Sequence, residues 1–215
     1  MRRMGRVIIA AALPLVAGAA AAQAQLRGIP VYFNPRVGTG VSVAANLGFP
    51  DYNAGGGTAY GAAGSFGTGP LALTGLAGVF RNVNSLGTQT WFGGTVAYRV
   101  FGGGLLPMAV ALQAGYGATT SGTSSDASSV LIPVGVGIAF NPPLFPLKPW
   151  IAPRMEFTRA EGSTGQFRLS GGVNFDLRHG FGVHAAEDWG FGGGAWTRGA
   201  IWGVGAHFNL HVPTV

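Results

Sequence analysis

Residues Gln166 to Arg178 read as two different sequences on alternate positions. Phe167, Leu169, Gly171, Val173, Phe175 and Leu177 make one side; Arg168, Ser170, Gly172, Asn174, Asp176 and Arg178 make the other. A period of two is an extended strand with one face in each of two solvents. A strand of that length, repeated along a chain behind an export signal, points to a barrel with lipid outside and polar groups inside.

The export signal is at the start. Arg2, Arg3 and Arg6 precede an apolar run from Val7 to about Ala20, and Ala22-Gln23-Ala24 follows. That is the small-x-small pattern of a signal peptidase site, so cleavage is expected after Ala24. The apolar run is shorter than the roughly 20 residues a membrane-spanning helix needs. The chain has no cysteine, so neither a cysteine-linked lipid nor a disulfide is available to it. Losing the three leader arginines takes the net charge from +6 to +3. What remains has no lysine or arginine run, which removes nucleic acid as a partner.

Charged residues make up 9% of the chain and hydrophobic ones 47%, whereas soluble domains carry about 25% charge. Yet beyond the leader no apolar run reaches about 18 residues, so no spanning helix is expected. Alternating transmembrane strands are apolar overall without being apolar continuously. The 39 glycines follow no strict three-residue period, which excludes collagen; in a tilted, curved sheet they relieve crowding where the backbone bends.

Ten segments have a length near the ~10 residues expected per crossing. They are Val37–Leu47, Thr58–Gly67, Leu71–Arg81, Gln89–Phe101, Met108–Ala118, Ser129–Asn141, Pro149–Ala160, Gln166–Arg178, Gly182–Trp189 and Arg198–His211. Leu71–Arg81 is ambiguous in parity and Gly182–Trp189 is short, so eight strands is the runner-up. Connections alternate between short or proline-stiffened and longer, glycine-rich ones, which places both termini in the periplasm. The fold expected is an all-β antiparallel transmembrane barrel of about ten strands. Its parts are a signal peptide (1–24), a periplasmic N-terminal segment (25–36), the barrel (37–212) and a tail (213–215). Aromatics near segment ends (Phe66, Phe80, Trp91, Phe101, Phe140, Trp150, Phe175, Trp189 and Phe208) are read as a membrane–water interface girdle. The competing architecture is a soluble, lipocalin-like barrel, which needs apolar residues inside.

With these features the chain resembles the small outer-membrane β-barrel proteins, the broad OmpA-like, OmpW-like and opacity-like group, over nearly all of residues 37–212. Gly205-x-x-Phe208-x-Leu210 looks like the final-strand signal such proteins present to the barrel assembly machinery, although here the chain continues through His211 to Val215. The resemblance implies an outer-membrane location in a Gram-negative-type bacterium, with membrane lipid and lipopolysaccharide as neighbours.

The inward parity collects a polar network: Arg99, Gln113, Arg154, Glu156, Arg168, Asn174, Asp176, Arg178 and His184. If the loop after the seventh strand is symmetric about Gly162, Glu156 faces Arg168 directly. A side-chain network filling the lumen is preferred over a charged constriction that selects solutes, although the many inward Gly and Ala positions leave space. His184, with Asp176 or Asn174 opposite, suggests a His–carboxylate pair. Ten-stranded outer-membrane proteases do place acid and histidine groups at the rim. Here Asp188 lies roughly 13 Å from His184 along the strand, and no paired aspartates or His-x-Ser arrangement occur.

No catalytic, cofactor-binding or metal-binding residues are therefore expected, and no cofactor. His207 and His211 are also about 13 Å apart on a strand. The clusters Gly55–Gly57, Gly102–Gly104 and Gly192–Gly194 lack the context of a phosphate loop. The functional expectation is a non-enzymatic outer-membrane barrel with a structural role or passive passage of small solutes. An outer-surface adhesin or ligand-binding barrel is the alternative, with a barrel hydrolase third.

Overall fold

The computed structural model describes residues 29–52, 54, 56–81, 88–103, 106–121, 129–142, 145–159, 163–191 and 199–210. Ten strands carry the chain: β1 (Gly40–Pro50), β2 (Thr58–Thr68), β3 (Leu71–Arg81), β4 (Thr88–Gly102), β5 (Met108–Ser121), β6 (Ser129–Phe140), β7 (Leu147–Arg159), β8 (Ser163–Asp176), β9 (Phe181–Phe191) and β10 (Ala200–Leu210). Each pairs antiparallel with its sequence neighbours, and β1 pairs with β10 from Val41↔Leu210 to Pro50↔Ile201, which closes the sheet. Closure leaves no unpaired edge, the condition a sheet must meet in a solvent without hydrogen bonds. Ten strands, not eight, are present because Leu71–Arg81 and Phe181–Phe191 are both full crossings.

The even strand number puts the start of β1 and the end of β10 at one end of the barrel. The β2–β3, β4–β5, β6–β7 and β8–β9 connections share that end, here called the turn end; the opposite end is the loop end. The alternation seen in the sequence sets the faces. Leu112 is 51% exposed on the outside and Arg154 is 4% exposed in the lumen. Phe92, Val134, Val136, Phe157, Val183 and Trp202 share the outer face with Leu112, whereas Arg168, Ser170, Asn174, His184 and Asp188 are buried inside. A soluble barrel would have the reverse arrangement.

Several expectations need correction. Phe80, Trp91 and Trp150 do not belong to an outer aromatic girdle: all three are buried in the lumen, where they join Leu76 and Leu131 in an apolar cluster. Inward glycines make room for two of these rings. A Cβ on Gly78 would overlap the Trp91 ring, and one on Gly172 would overlap Trp150. Strand β8 ends at Asp176, two residues short of Arg178. There the chain turns through Arg178–Gly180, with His179 at φ 61° and the Leu177 amide donating to the Phe181 carbonyl at 2.7 Å. Arg178 is thus a turn residue and not part of strand β8.

The described part of the segment expected in the periplasm, residues 29–36, is also placed differently. It enters the lumen from the turn end as a short 3-10 turn, Pro30–Phe33, and contacts β8, β9 and β10. Ile29 and Phe33 are buried in the same apolar cluster as Trp91 and Trp150. Small inward residues accommodate the segment: a Cβ on Gly137 would collide with Pro35, and Ala139, Ala152 and Ala186 are buried in the cluster. The space left by inward Gly and Ala is occupied by the chain's own N-terminal segment.

Candidate functional site: the polar lumen

Midway along β7, β8 and β9 the lumen holds a closed set of charges. Arg154 Nε donates to Glu156 Oε1 at 2.6 Å, and its Nη2 lies 2.9 Å from Asp188 Oδ1. Arg168 Nε donates to Asp188 Oδ2 at 2.6 Å and lies 3.7 Å from Glu156 Oε2. Ser170 accepts from Arg154 and donates to Asp188 Oδ1 at 2.6 Å. Two cations and two anions cancel. The Arg154 guanidinium also sits over the Phe33 ring, 3.5 Å from its centroid, an attraction between cation and ring face that strengthens out of water. The N-terminal segment is therefore seated directly on the ion cluster.

The register here differs from the expected one. Glu156 faces Gln166 and Arg154 faces Arg168, because the hairpin closes on Arg159↔Ser163 and is centred on residue 161 instead of Gly162. Inward parity is unchanged, but like charges oppose each other. Asp188, brought in from β9, is what makes that tolerable. Sequence reading had placed Asp188 at the rim; the inward series Gly182, His184, Ala186 and Asp188 was the signal that would have assigned it to the lumen.

Nearer the turn end the arrangement is looser. Asp176 contacts Lys148 Nζ, lies 3.4 Å from His207 Nε2 and 3.9 Å from Arg36 Nη1. Asn174 Oδ1 accepts from Asn34 at 3.0 Å and from Trp150 Nε1 at 3.2 Å. Gln113 donates to the Phe33 carbonyl at 3.3 Å, which anchors the N-terminal segment to β5. Arg99 reaches the carbonyls of Gly69 at 3.1 Å and Val37 at 3.4 Å. Asn34, Arg36, Arg99, Lys148, Asn174 and Asp176 border a cavity of about 390 Å³.

His184 does not form the expected pair with Asp176 or Asn174. Asn174 is its cross-strand partner in register, but the imidazole lies between His207 Nδ1 at 3.0 Å and Asn46 Oδ1 at 2.6 Å. The two rings are parallel within 4° and their centroids are 5.3 Å apart. With the Nδ1 atoms much closer than the centroids, the rings meet edge to edge at hydrogen-bonding distance. Asp176 contacts His207 instead, giving the chain Asn46–His184–His207–Asp176. Both nitrogens of His184 are thus engaged, and no carboxylate polarises it. The second half of the His207 and His211 pair lies outside the described residues.

Arg36, Asn34 and Phe33 were missed because residues 25–36 show no alternation. Lys148 was missed because it fell in a stretch read as a connection. Asn46 and His207 were missed as partners because their contacts cross the β1–β10–β9 seam, which local periodicity does not reveal.

No protein-family model matches this chain, and no curated protein matches it in sequence. Among solved structures it is similar to the N-terminal β-barrel domain of Pseudomonas aeruginosa OprF. Identity there is 16%, over 79% of this chain and 96% of that one, with a TM-score of 0.38. It is similar to the KdgM porin at 9% identity over 79% and 99% of the two chains, TM-score 0.45. It is also similar to a de novo designed transmembrane β-barrel at 13% identity over 82% and 99%, TM-score 0.41. The chain itself is a closed, ten-strand, antiparallel barrel with an apolar outer face.

Proposed function

We propose that this protein is a non-enzymatic barrel of a Gram-negative-type outer membrane, exported through residues 1–24, with a structural role in the envelope. On this reading the turn end faces the periplasm, lipid and lipopolysaccharide surround the apolar outer face, and the assembly machinery reads the last strand. The observation that carries it is the closed lumen: Phe33 sits on Arg154 inside a charge-neutral cluster, so side chains and the N-terminal segment fill the path a solute would take. A second reading, passive passage of small solutes, is favoured by the 390 Å³ cavity and requires the N-terminal segment to leave.

Planar-bilayer recordings separate the two. The protein without its leader should be silent, and removal of residues 29–36 should produce discrete channel openings. Steady conductance of the intact protein would replace the structural role with a pore. Location has its own test, because a heat-modifiable band in the outer-membrane fraction is expected and a soluble fraction would refute the assignment. Val134→Arg, on the outer face midway along β6, should then cost about 2–4 kcal/mol in refolding into vesicles.

A further inference from the structure

The charges of the lumen are unevenly shared between its two polar regions. The chain has seven acidic side chains. Glu156 and Asp188 are in the ion cluster, Asp51 follows β1 at the loop end, and Glu187 has outward parity on β9. Asp126 and Glu161 lie outside the described residues. Among the described residues Asp176 is the one carboxylate lining the turn-end cavity, which is bordered by three cations, Arg36, Arg99 and Lys148. Lys148 engages Asp176 at contact distance, whereas Arg36 is 3.9 Å from it. The other described partners of Arg36 and Arg99 are main-chain carbonyls: Phe140 for Arg36, Val37 and Gly69 for Arg99. A carbonyl oxygen accepts a hydrogen bond but cancels no charge. Arg36 Nε is buried without a hydrogen-bond partner. Burial lowers the Arg36 guanidinium to about 10, opposed by Asp176, so it stays charged at neutral pH.

We propose that the turn-end cavity is a binding site for a small oxyanion of the phosphate type, held by Arg36 and Arg99 with Lys148 beside them. Guanidinium forks match the geometry of phosphate oxygens, and a low-dielectric wall strengthens the attraction. The volume suits a free ion or small solute. A lipid headgroup is less suited, since its chains would have to cross the barrel wall. The site does not depend on whether the barrel conducts.

The test uses the protein without its leader, folded in a phosphate-free nonionic detergent, with tryptophan fluorescence as readout. Trp150 reports on the site because it shares Asn174 with the cavity lining. Inorganic phosphate should give a saturable change that chloride at equal ionic strength does not. Arg36→Gln and Arg99→Gln should each weaken it roughly tenfold. Arg81→Gln, at the loop end, should leave it unchanged. Asp176→Asn removes the competing carboxylate and should tighten binding, a change of sign that poor folding cannot imitate. Absence of saturation, or an affinity in both arginine variants equal to that of the unsubstituted protein, overturns the proposal. So does a response given by phosphatidylglycerol micelles and not by inorganic phosphate, which would place the contact on the outer surface.

Discussion

The ion cluster, on β7, β8 and β9, and the turn-end cavity, lined from all ten strands and from residues 34–39, handle charge in opposite ways. In the cluster every charge is enclosed and matched: the Arg154 and Asp188 side chains are each 3% exposed, and two guanidinium groups share two carboxylates. In the cavity Lys148 and Asp176 are each 28% exposed, and one carboxylate contacts two of the three lining cations, Lys148 and Arg36, and a histidine. Taking an ion out of water costs several kcal/mol, and a partner offsets that only where the geometry is good and the remaining donors are satisfied. The cluster comes nearer to that condition: two guanidinium groups sit on two carboxylates, and only Arg168 Nη2, 2.6 Å from Asp188 Oδ2, lacks an aligned hydrogen bond among its described atoms. Its job is therefore to hold β7, β8, β9 and the N-terminal segment in one arrangement. The cavity does not meet it, and its surplus positive charge is available to something else.

The largest expected effect falls on the cluster. Asp188→Ala removes an acceptor from Arg154, Arg168 and Ser170 together and leaves two buried guanidinium groups facing one carboxylate. The loss should be about 3–5 kcal/mol, measured by urea unfolding in lipid vesicles with the heat-modifiable band as readout. A loss below about 1 kcal/mol, typical of a solvated surface pair, would mean that the cluster is hydrated and the contrast with the cavity false. Next is Gly137→Leu, which places a side chain where Pro35 lies. Overpacking of this kind costs about 1–3 kcal/mol, and here it acts on the N-terminal segment. Protease access to residues 29–36 should rise while the barrel band persists. A variant that unfolds the barrel as a whole would show that the segment belongs to the core of the fold and is not an insert within it.

Sequence reading captured the barrel better than its contents, for a physical reason. Alternation is local, so Phe167-Arg168-Leu169-Ser170 declares its two faces without reference to any other strand, and ten such segments suffice for a closed sheet. Contents depend on what crosses the lumen. Trp91 and Trp150 look like interface aromatics in sequence, and only the partner glycines on neighbouring strands, Gly78 and Gly172, and the apolar N-terminal segment make them interior residues. The partner of Glu156 turned on a hairpin centre one residue away from the one assumed, and that shift moves each pairing by two residues while preserving parity. Faces survive such a slip, but partners do not. The N-terminal segment carried no periodic signal at all; the surplus of inward Gly and Ala was its only trace.

Asp176→Asn should have the smallest effect on stability and the most discriminating one. Its carboxylate is partly exposed, so the lost pairing with Lys148 should be worth no more than about 1 kcal/mol. The substitution also leaves Arg36, Arg99 and Lys148 without a countercharge, and that part of the cost is repulsion between groups reached by solvent. Repulsion of this kind falls when salt shortens the Debye length from about 30 Å at 0.01 M to about 10 Å at 0.1 M. The Asp176→Asn deficit should therefore shrink as salt is added, whereas the Asp188→Ala deficit, enclosed in the barrel, should not. If both deficits respond equally to salt, water reaches the two regions alike and the cavity has no claim to a surplus charge of its own. If neither responds, Asp176 is as enclosed as Asp188, and the anion has no route to Arg36.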